Sequence, residues 1–464
     1  MKSVWETVYL QSPSWMQNIG LSLYGLRIER SRHGGNYRHF ARDISSHCVE
    51  REALTAYVDA KLREVVKDAG ENVPYYRELF RRQGINVGDI KTVEDLNRIP
   101  LLEKESVRQG PSRFVRENSK KRHLLCIHTT GTTGTPLRIY CNDYVRQLNY
   151  AFYDRFLQQV GIDFRGKRAT FGGRIVVPSE QGSPPFWRHS YFQKNLLLSS
   201  YHLTDGNIPA YIEKLTKFQP KFIDAYPSSL FTIANYASRN KISLKNVTRG
   251  ITTSAETLFA EQREIIETIF DVPIFDQYGA AEMCVFVAQC TAGSYHIHSD
   301  YGMLEFLRED GSNAKPGEEA ELVCTGLINP VMPLIRYRIG DRGVLSSEAC
   351  ICGSSFPVMI KITGRMDDVI VTPDGRKVGR LSPVFKGFPV KEVQYIQRSK
   401  DAIEVIIVKD EGYSHETEKH VLSELRKRLG HDISIALKYV QAIPRGNGGK
   451  LRSIVSYIGQ TRHG

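Results

Sequence analysis

Between about residues 165 and 276, short apolar runs alternate with helix-length stretches, and this most restricts the folds open to the chain. "ATFGG", "KFIDAY", "GITTS" and "VPIFD" read as strands, and "NIPAYIEKLTKF", "SSLFTIANYASR" and "TLFAEQREIIETIF" as helices. Strands that alternate with helices predict an α/β layer fold with a largely parallel sheet.

The flanking segments add further units. Residues 49–68 place Leu54, Tyr57, Val58, Leu62, Val65 and Val66 on one helical face. "TVEDLNRI" opens with a Thr and carries an acid three residues on, as a capping box does. "DYVRQLNYAFYDRFLQQVG" reads as a helix with Asp143 as its N-cap. From about 294 to 362, "SYHIHSDYGMLEFL", "EAELVCTGLI", "PLIRYRIGD" and "RGVLSS" read as short strands split by turns, which predicts a β-rich subdomain. A charged, glycine-bearing junction, "TGRMDDVIVTPDGRKV", precedes a hairpin, a helix and a final strand region. At 464 residues the chain exceeds one ordinary core. We expect a large domain over 1–364 and a small α+β domain over 365–464.

Composition narrows the classes. Hydrophobic residues are 41% and charged residues 25%, which is globular. A formal charge of +12 favours anionic partners without choosing among them. No apolar run of about 18 residues occurs, so no transmembrane helix is expected. With no h-region either, the chain reads as cytoplasmic. "WMQNIGLSLYGLRIERSRHGG" reads as a packed N-terminal helix, with peripheral membrane contact as the alternative. Eight cysteines in such a length are reduced thiols, not a disulfide framework.

"HTTGTTGTPLRIY" carries the chemistry. From Thr129 to Thr135 every residue is Thr or Gly. Glycines let backbone N–H groups curl around a phosphate, and Thr hydroxyls add donors. Strand, loop and helix in succession would aim a helix N-terminus at it. The loop has no Lys and is not a Walker motif.

Five more stretches follow in order: "TTSAE" (252–256), "FDQYGAAE" (275–282), "YRIGDRG" (337–343), "ITGRMDDVIV" (362–371) and "PRGNGGKLR" (444–452). Together the six resemble the motifs of the adenylate-forming superfamily, which includes acyl-coenzyme A synthetases, peptide-synthetase adenylation domains and luciferases. "NVPYYRELF" and "LNRIPLLEKESV" resemble the phenylacetate–coenzyme A ligase branch. "VKEVQYIQRSKDAIEVIIVKD" resembles members of that branch linked to capsular-polysaccharide biosynthesis.

The resemblance implies a large adenylate-forming domain and a small mobile C-terminal domain. It also implies roles. Thr129, Thr130, Gly131, Thr132, Thr133 and Gly134 would hold the β- and γ-phosphates of ATP. Ser254, Ala255, Glu256, Tyr278 and Gly279 would border the adenine. Glu282 would hold Mg2+, Asp341 the ribose hydroxyls, and Arg365 ribose or phosphate. Asp367 would be the hinge. Lys450 would neutralise charge as the acyl-phosphate bond forms. Where the family commonly has Thr or Ser before the Glu, this chain has Ala281, so one phosphate contact is missing.

Cys290, His296, Cys350 and Cys352 resemble a zinc set in some relatives, with His298 as an alternative to His296. The expected activity is activation of an acid as its adenylate and transfer to coenzyme A. Transfer to an amine or hydroxyl acceptor, and a non-catalytic binding protein on a degenerate adenylation fold, stay open. Tyr226 and Tyr278 would favour an aromatic acid. No nucleic acid partner is expected; a homodimer is left open.

Overall fold

Five parallel strands form the spine of the molecule: Asn195–Ser199, Arg168–Gly172, Phe222–Ala225, Ile251–Ser254 and Ile274–Gly279, in that spatial order. The structure is a computed structural model and describes residues 4–45, 50–128, 137–178, 180–363, 370–378, 381–385, 388–441, 443 and 454–458. Helices Ile208–Phe218, Pro227–Arg239 and Ala260–Phe270 connect the strands, as the alternation predicts. Leu196, Leu198, Ile223, Ile251 and Ile274 meet Leu215, Leu230, Ile233 and Ile266 in one buried core. Each such side chain contributes roughly 1.5–3 kcal/mol through burial.

The expected β-rich subdomain is present and continues this spine. Its six strands extend the same sheet, antiparallel, and with Trp187–Ser190 on the opposite edge the sheet has twelve strands among the described residues. After Ile274–Gly279 come Phe286–Gln289, Tyr295–Ile297, Val358–Thr363, Tyr337–Leu345, Glu319–Gly326 and Gly302–Leu307. This half curls back on itself. A Cβ on Gly302 would stand 2.2 Å from the Cys284 carbonyl oxygen, and one on Gly326 would stand 3.1 Å from Cys284 Cα. At Gly302 only glycine permits that approach, and at Gly326 a side chain would be tight.

"PLIRYRIGD" and "RGVLSS" are not two strands. One strand, Tyr337–Leu345, runs through both. Its register against Glu319–Gly326 slips between Glu321 and Val323, and Gly340 there has φ 92°. The glycine makes a bulge inside the strand and not a turn at its end.

Two further expectations are corrected. The Thr/Gly loop is followed by a strand, not directly by a helix. Leu125–His128 pairs antiparallel with Arg138–Cys141, in a register that sets His128 opposite Arg138. Alternating exposure along "RIYC" is the strand signature missed there. Helix Asp143–Gln159 begins later, and its cap is Asn142, not Asp143. Asn142 has extended backbone, and its Oδ1 accepts the Val145 N–H at 2.9 Å. "TVEDLNRI" forms a 3₁₀ helix, Val93–Arg98, in which Asp95 accepts the Thr92 N–H at 3.1 Å.

The C-terminal part has its own sheet and core. The antiparallel pair Val390–Ser399 and Ala402–Lys409 gains one parallel strand on each side, Ile454–Ser456 and Ser434–Tyr439. Helix His415–Leu429 packs Val421, Leu425 and Leu429 against it. Arg376 ties this part to the rest, donating to the Tyr201 carbonyl at 2.8 Å and to the Arg428 carbonyl at 2.9 Å.

Candidate active site and metal centre

Tyr226, Ser254 and Tyr278 stand at the C-terminal ends of adjacent parallel strands, where ligands bind in open α/β sheets. Ser254 pairs with Gln277, which sets 254–256 beside Tyr278. Ala255 takes φ 72°, a left-handed turn off the strand end. Glu256 turns back and accepts the Ser228 N–H at 3.1 Å, at the start of helix Pro227–Arg239. Tyr226 lies against Gly173, whose carbonyl accepts the Tyr201 hydroxyl at 2.8 Å.

The curl of the sheet then brings distant strands together. Tyr278 donates its hydroxyl to Asp341 Oδ2 at 2.8 Å. Asp341 follows Gly340 in the bulge, which re-aims its side chain. Burial, then the Asp341 charge, pushes the Tyr278 phenol well above its usual range, so it stays a donor.

Glu282, just past this strand, is buried. Its Oε1 accepts the Tyr337 hydroxyl at 3.1 Å and the Lys104 ammonium at 3.1 Å. Lys104 begins helix Lys104–Gln109. The preceding Leu102 is clamped to the strand region, its N–H on the Arg336 carbonyl at 2.8 Å and its carbonyl receiving the Arg338 N–H at 3.0 Å. Leu137 and Ile139, beyond the Thr/Gly loop, pack into the same core as Tyr278 and Tyr337.

A second cluster sits on the neighbouring strands. Cys290 and His296 flank the turn between Phe286–Gln289 and Tyr295–Ile297. His296 pairs with Val358, which draws in the turn holding Cys350 and Cys352. Gly353, at φ 77°, lets that turn close. One ligand atom from each of Cys290, His296, Cys350 and Cys352 lies within 4.8 Å of all the others. The Cys290 and Cys350 sulfurs are 3.7 Å apart, and a tetrahedral zinc with ~2.3 Å bonds to sulfur spaces its ligands by about 3.8 Å. His296 turns Nδ1 to the Phe356 carbonyl at 3.2 Å and Nε2 to Cys352 Sγ at 3.3 Å. A carbonyl on the far nitrogen is the usual second support of a metal-binding histidine.

His298 is not part of the cluster. Its Nδ1 faces the Arg155 guanidinium at 2.7 Å, its ring stacks on Phe356, and Arg155 also pairs with Asp300 at 2.6 Å. Burial raises the Cys350 thiol, but hydrogen bonds from Ser294, Cys352 and His296 outweigh it and bring it down to about 6.

The family model of the CapK C-terminal domain matches residues 370–457. The chain is 29% identical to Protein CapK of Staphylococcus aureus over 97% of its own length and 99% of that protein. It is 24% identical to a phenylacetate-coenzyme A ligase of Thermus thermophilus, covering 87% of this chain and 97% of the relative. A crystal structure of 2-hydroxyisobutyryl-CoA ligase in complex with 2-HIB-AMP and CoA superposes with TM-score 0.59. That match is at 18% identity and covers 86% of this chain and 88% of the other.

The chain has the fold of an adenylate-forming ligase. Within this adenylate-forming fold, sequence reasoning missed Lys104 and Tyr337. Lys104 follows the short apolar run "IPLL", and nothing local pairs it with a carboxylate 178 positions away. Tyr337 opens "YRIGDRG", and nothing in the sequence ties its hydroxyl to Glu282. Thr129, Thr130, Gly131, Thr132, Thr133, Gly134, Arg365, Asp367 and Lys450 lie outside the described residues.

Proposed function

We propose that this chain activates a carboxylic acid as its acyl-adenylate, releasing pyrophosphate, and passes the acyl group to coenzyme A. The observation that carries this reading is the pairing of Tyr278 with Asp341 beside the buried Glu282, all at the carboxyl end of one parallel strand.

Asp341 accepts the ribose hydroxyls and Tyr278 orients it. Ser254, Ala255, Glu256 and Gly279 border the adenine. Glu282 fits a divalent cation: it is a buried carboxylate whose present partner, Lys104, is itself a cation. Bound Mg2+ would neutralise phosphate charge there. The Thr129–Gly134 loop holds the β- and γ-phosphates. Lys450 and Arg365 neutralise the charge that develops as the acyl–phosphate bond forms. Residues 1–364 and 365–464 act as two domains, with Asp367 between them as the hinge. Cys290, His296, Cys350 and Cys352 hold a structural zinc, since all four positions are protein ligands and none is left open for a substrate.

A second reading keeps the adenylate but ends on an amine or hydroxyl acceptor. The resemblance of residues 390–410 to members linked to capsular-polysaccharide biosynthesis supports it. A third, a binding protein without catalysis, draws on Ala281, where the expected hydroxyl is missing. One experiment separates them. The full chain is given ATP, Mg2+ and a panel of aryl, fatty, hydroxy and amino acids, with coenzyme A, amines or sugars. AMP formation and the product mass are followed. A thioester supports the first reading, an amide or ester the second, and no AMP with any combination the third.

A further inference from the structure

The N-terminal helix Ser14–Arg32 is mounted inside out. Gln17, Ser22, Gly25 and Ile28 are its buried positions, and three of the four carry no large apolar group. Gln17, Ser22 and Gly25 face strand Trp187–Ser190, the free edge of the large sheet. Asn18 Oδ1 accepts the His189 N–H at 2.8 Å, and Ser22 Oγ accepts the Tyr191 N–H at 3.0 Å. Gly25 passes close to Ser190, where a Cβ would stand 2.3 Å from its Oγ. The polar face thus covers a sheet edge that would otherwise expose backbone donors.

The apolar face is left outside. Trp15 is 61% exposed and Leu23 60%, and Met16, Ile19 and Tyr24 lie beside them. Val8, in helix Val4–Gln11, and Tyr191 and Phe192, in the turn after the edge strand, are also exposed. Eight of the fifteen exposed large apolar side chains among the described residues are therefore here. Single exposed apolar residues are normal on a soluble surface; a contiguous group is not. Met16, Ile19, Leu23, Arg27 and Arg30 follow helical spacing, so the apolar stripe runs into two exposed arginines. Lys194 is exposed in the adjacent turn. From Thr7 to Ile28, and from Tyr191 to Lys194, the sequence has no acidic residue.

We propose that this face docks the protein on an anionic lipid surface. Trp, Tyr and Leu side chains would enter the boundary between headgroups and acyl chains, while Arg27, Arg30 and Lys194 meet lipid phosphates. The face carries only positive charge, and its aromatic residues have the polar tips that suit an interface. No helix among the described residues is long and apolar enough to cross a membrane, so the element lies on the surface. The inference is independent of the reaction proposed above.

The test is flotation of the full chain with phosphatidylcholine vesicles, with and without phosphatidylglycerol, at low and high salt. Wild type floats with the anionic vesicles, and salt weakens this. Ile19→Glu with Leu23→Glu lowers the partition coefficient about tenfold or more. Arg27→Gln with Arg30→Gln removes the preference for anionic vesicles. All these side chains are exposed, so thermal unfolding by circular dichroism stays as in wild type. Absence of flotation, or flotation unchanged in the Glu variant, overturns the proposal. A dimer in light scattering that the Glu variant dissociates, without vesicle binding, assigns the face to a second copy and also overturns it.

Discussion

Tyr278 and Asp341 share a hydrogen bond of 2.8 Å although three strands of the sheet lie between theirs. The contact exists because the antiparallel half curls and a glycine bulge turns Asp341 inward. Tyr278→Phe keeps the ring and removes the hydrogen bond. A hydrogen bond to a charged group contributes about 1.5–3 kcal/mol, so KM for ATP should rise about tenfold or more with kcat less affected. Steady-state kinetics with ATP varied checks this. An unchanged KM would mean that Asp341 does not meet the nucleotide.

Lys104 balances Glu282 in the structure, with the ammonium 20% exposed and the carboxylate 6%. Lys104→Met leaves a buried carboxylate with only the Tyr337 hydroxyl. It should destabilise the protein by about 1–3 kcal/mol. Added Mg2+ and ATP should recover part of that loss, since a cation then returns to Glu282. Thermal unfolding with and without Mg–ATP measures both effects. A loss that Mg–ATP leaves untouched would argue against a cation at Glu282.

The N-terminal helix is also held by a titrating clasp. His33 bridges Glu29 at 2.7 Å and Asp154 at 2.9 Å, and Tyr37 donates to Asp154 at 2.7 Å. Burial lowers the His33 pKa, but its hydrogen bonds to Asp154 and Glu29 outweigh this and raise it from 6.5 to about 9. Its contribution is therefore complete below pH 6.5 and is lost as pH rises through about 9. Burial raises Glu29, but His33 and Gln193 outweigh it and bring it from 4.5 down to about 2. That contribution is complete above pH 4.5 and is lost as pH falls through about 2. The stability difference between wild type and His33→Gln should be largest near pH 6 and shrink toward pH 9. Chemical unfolding at a series of pH values checks it; a difference that does not vary with pH would contradict it.

How much of this could be read from residues alone differs by element. The parallel strands were legible because "GITTS" and "VPIFD" are apolar runs bounded by breakers. The bulge at Gly340 was not legible, because a glycine suits a bulge and a turn alike. "RIYC" was missed because four residues carry too little periodicity. Asn142 and Asp143 are both good caps, and only backbone conformation separates them. The pairing of Lys104 with Glu282 depends on the curl of the whole sheet. His296 and His298 both lie in the same short stretch, and only the packing of Arg155 removes His298.

The cysteine cluster makes a separate prediction. Metal analysis of the purified chain should find one zinc per molecule. Cys290→Ser or Cys352→Ser should lose it and lower the unfolding temperature, because binding free energy at such a site is folding free energy. Wild type purified without zinc, or variants that keep the wild-type unfolding temperature, would contradict the assignment.

The central claim is that an acid is adenylated here. Its most direct test is acid-dependent exchange of pyrophosphate into ATP, with Lys450→Ala beside wild type. The account predicts exchange with at least one acid of a broad panel, reduced about a hundredfold or more in the variant. Absence of exchange with every acid, together with absence of ATP binding, would contradict it.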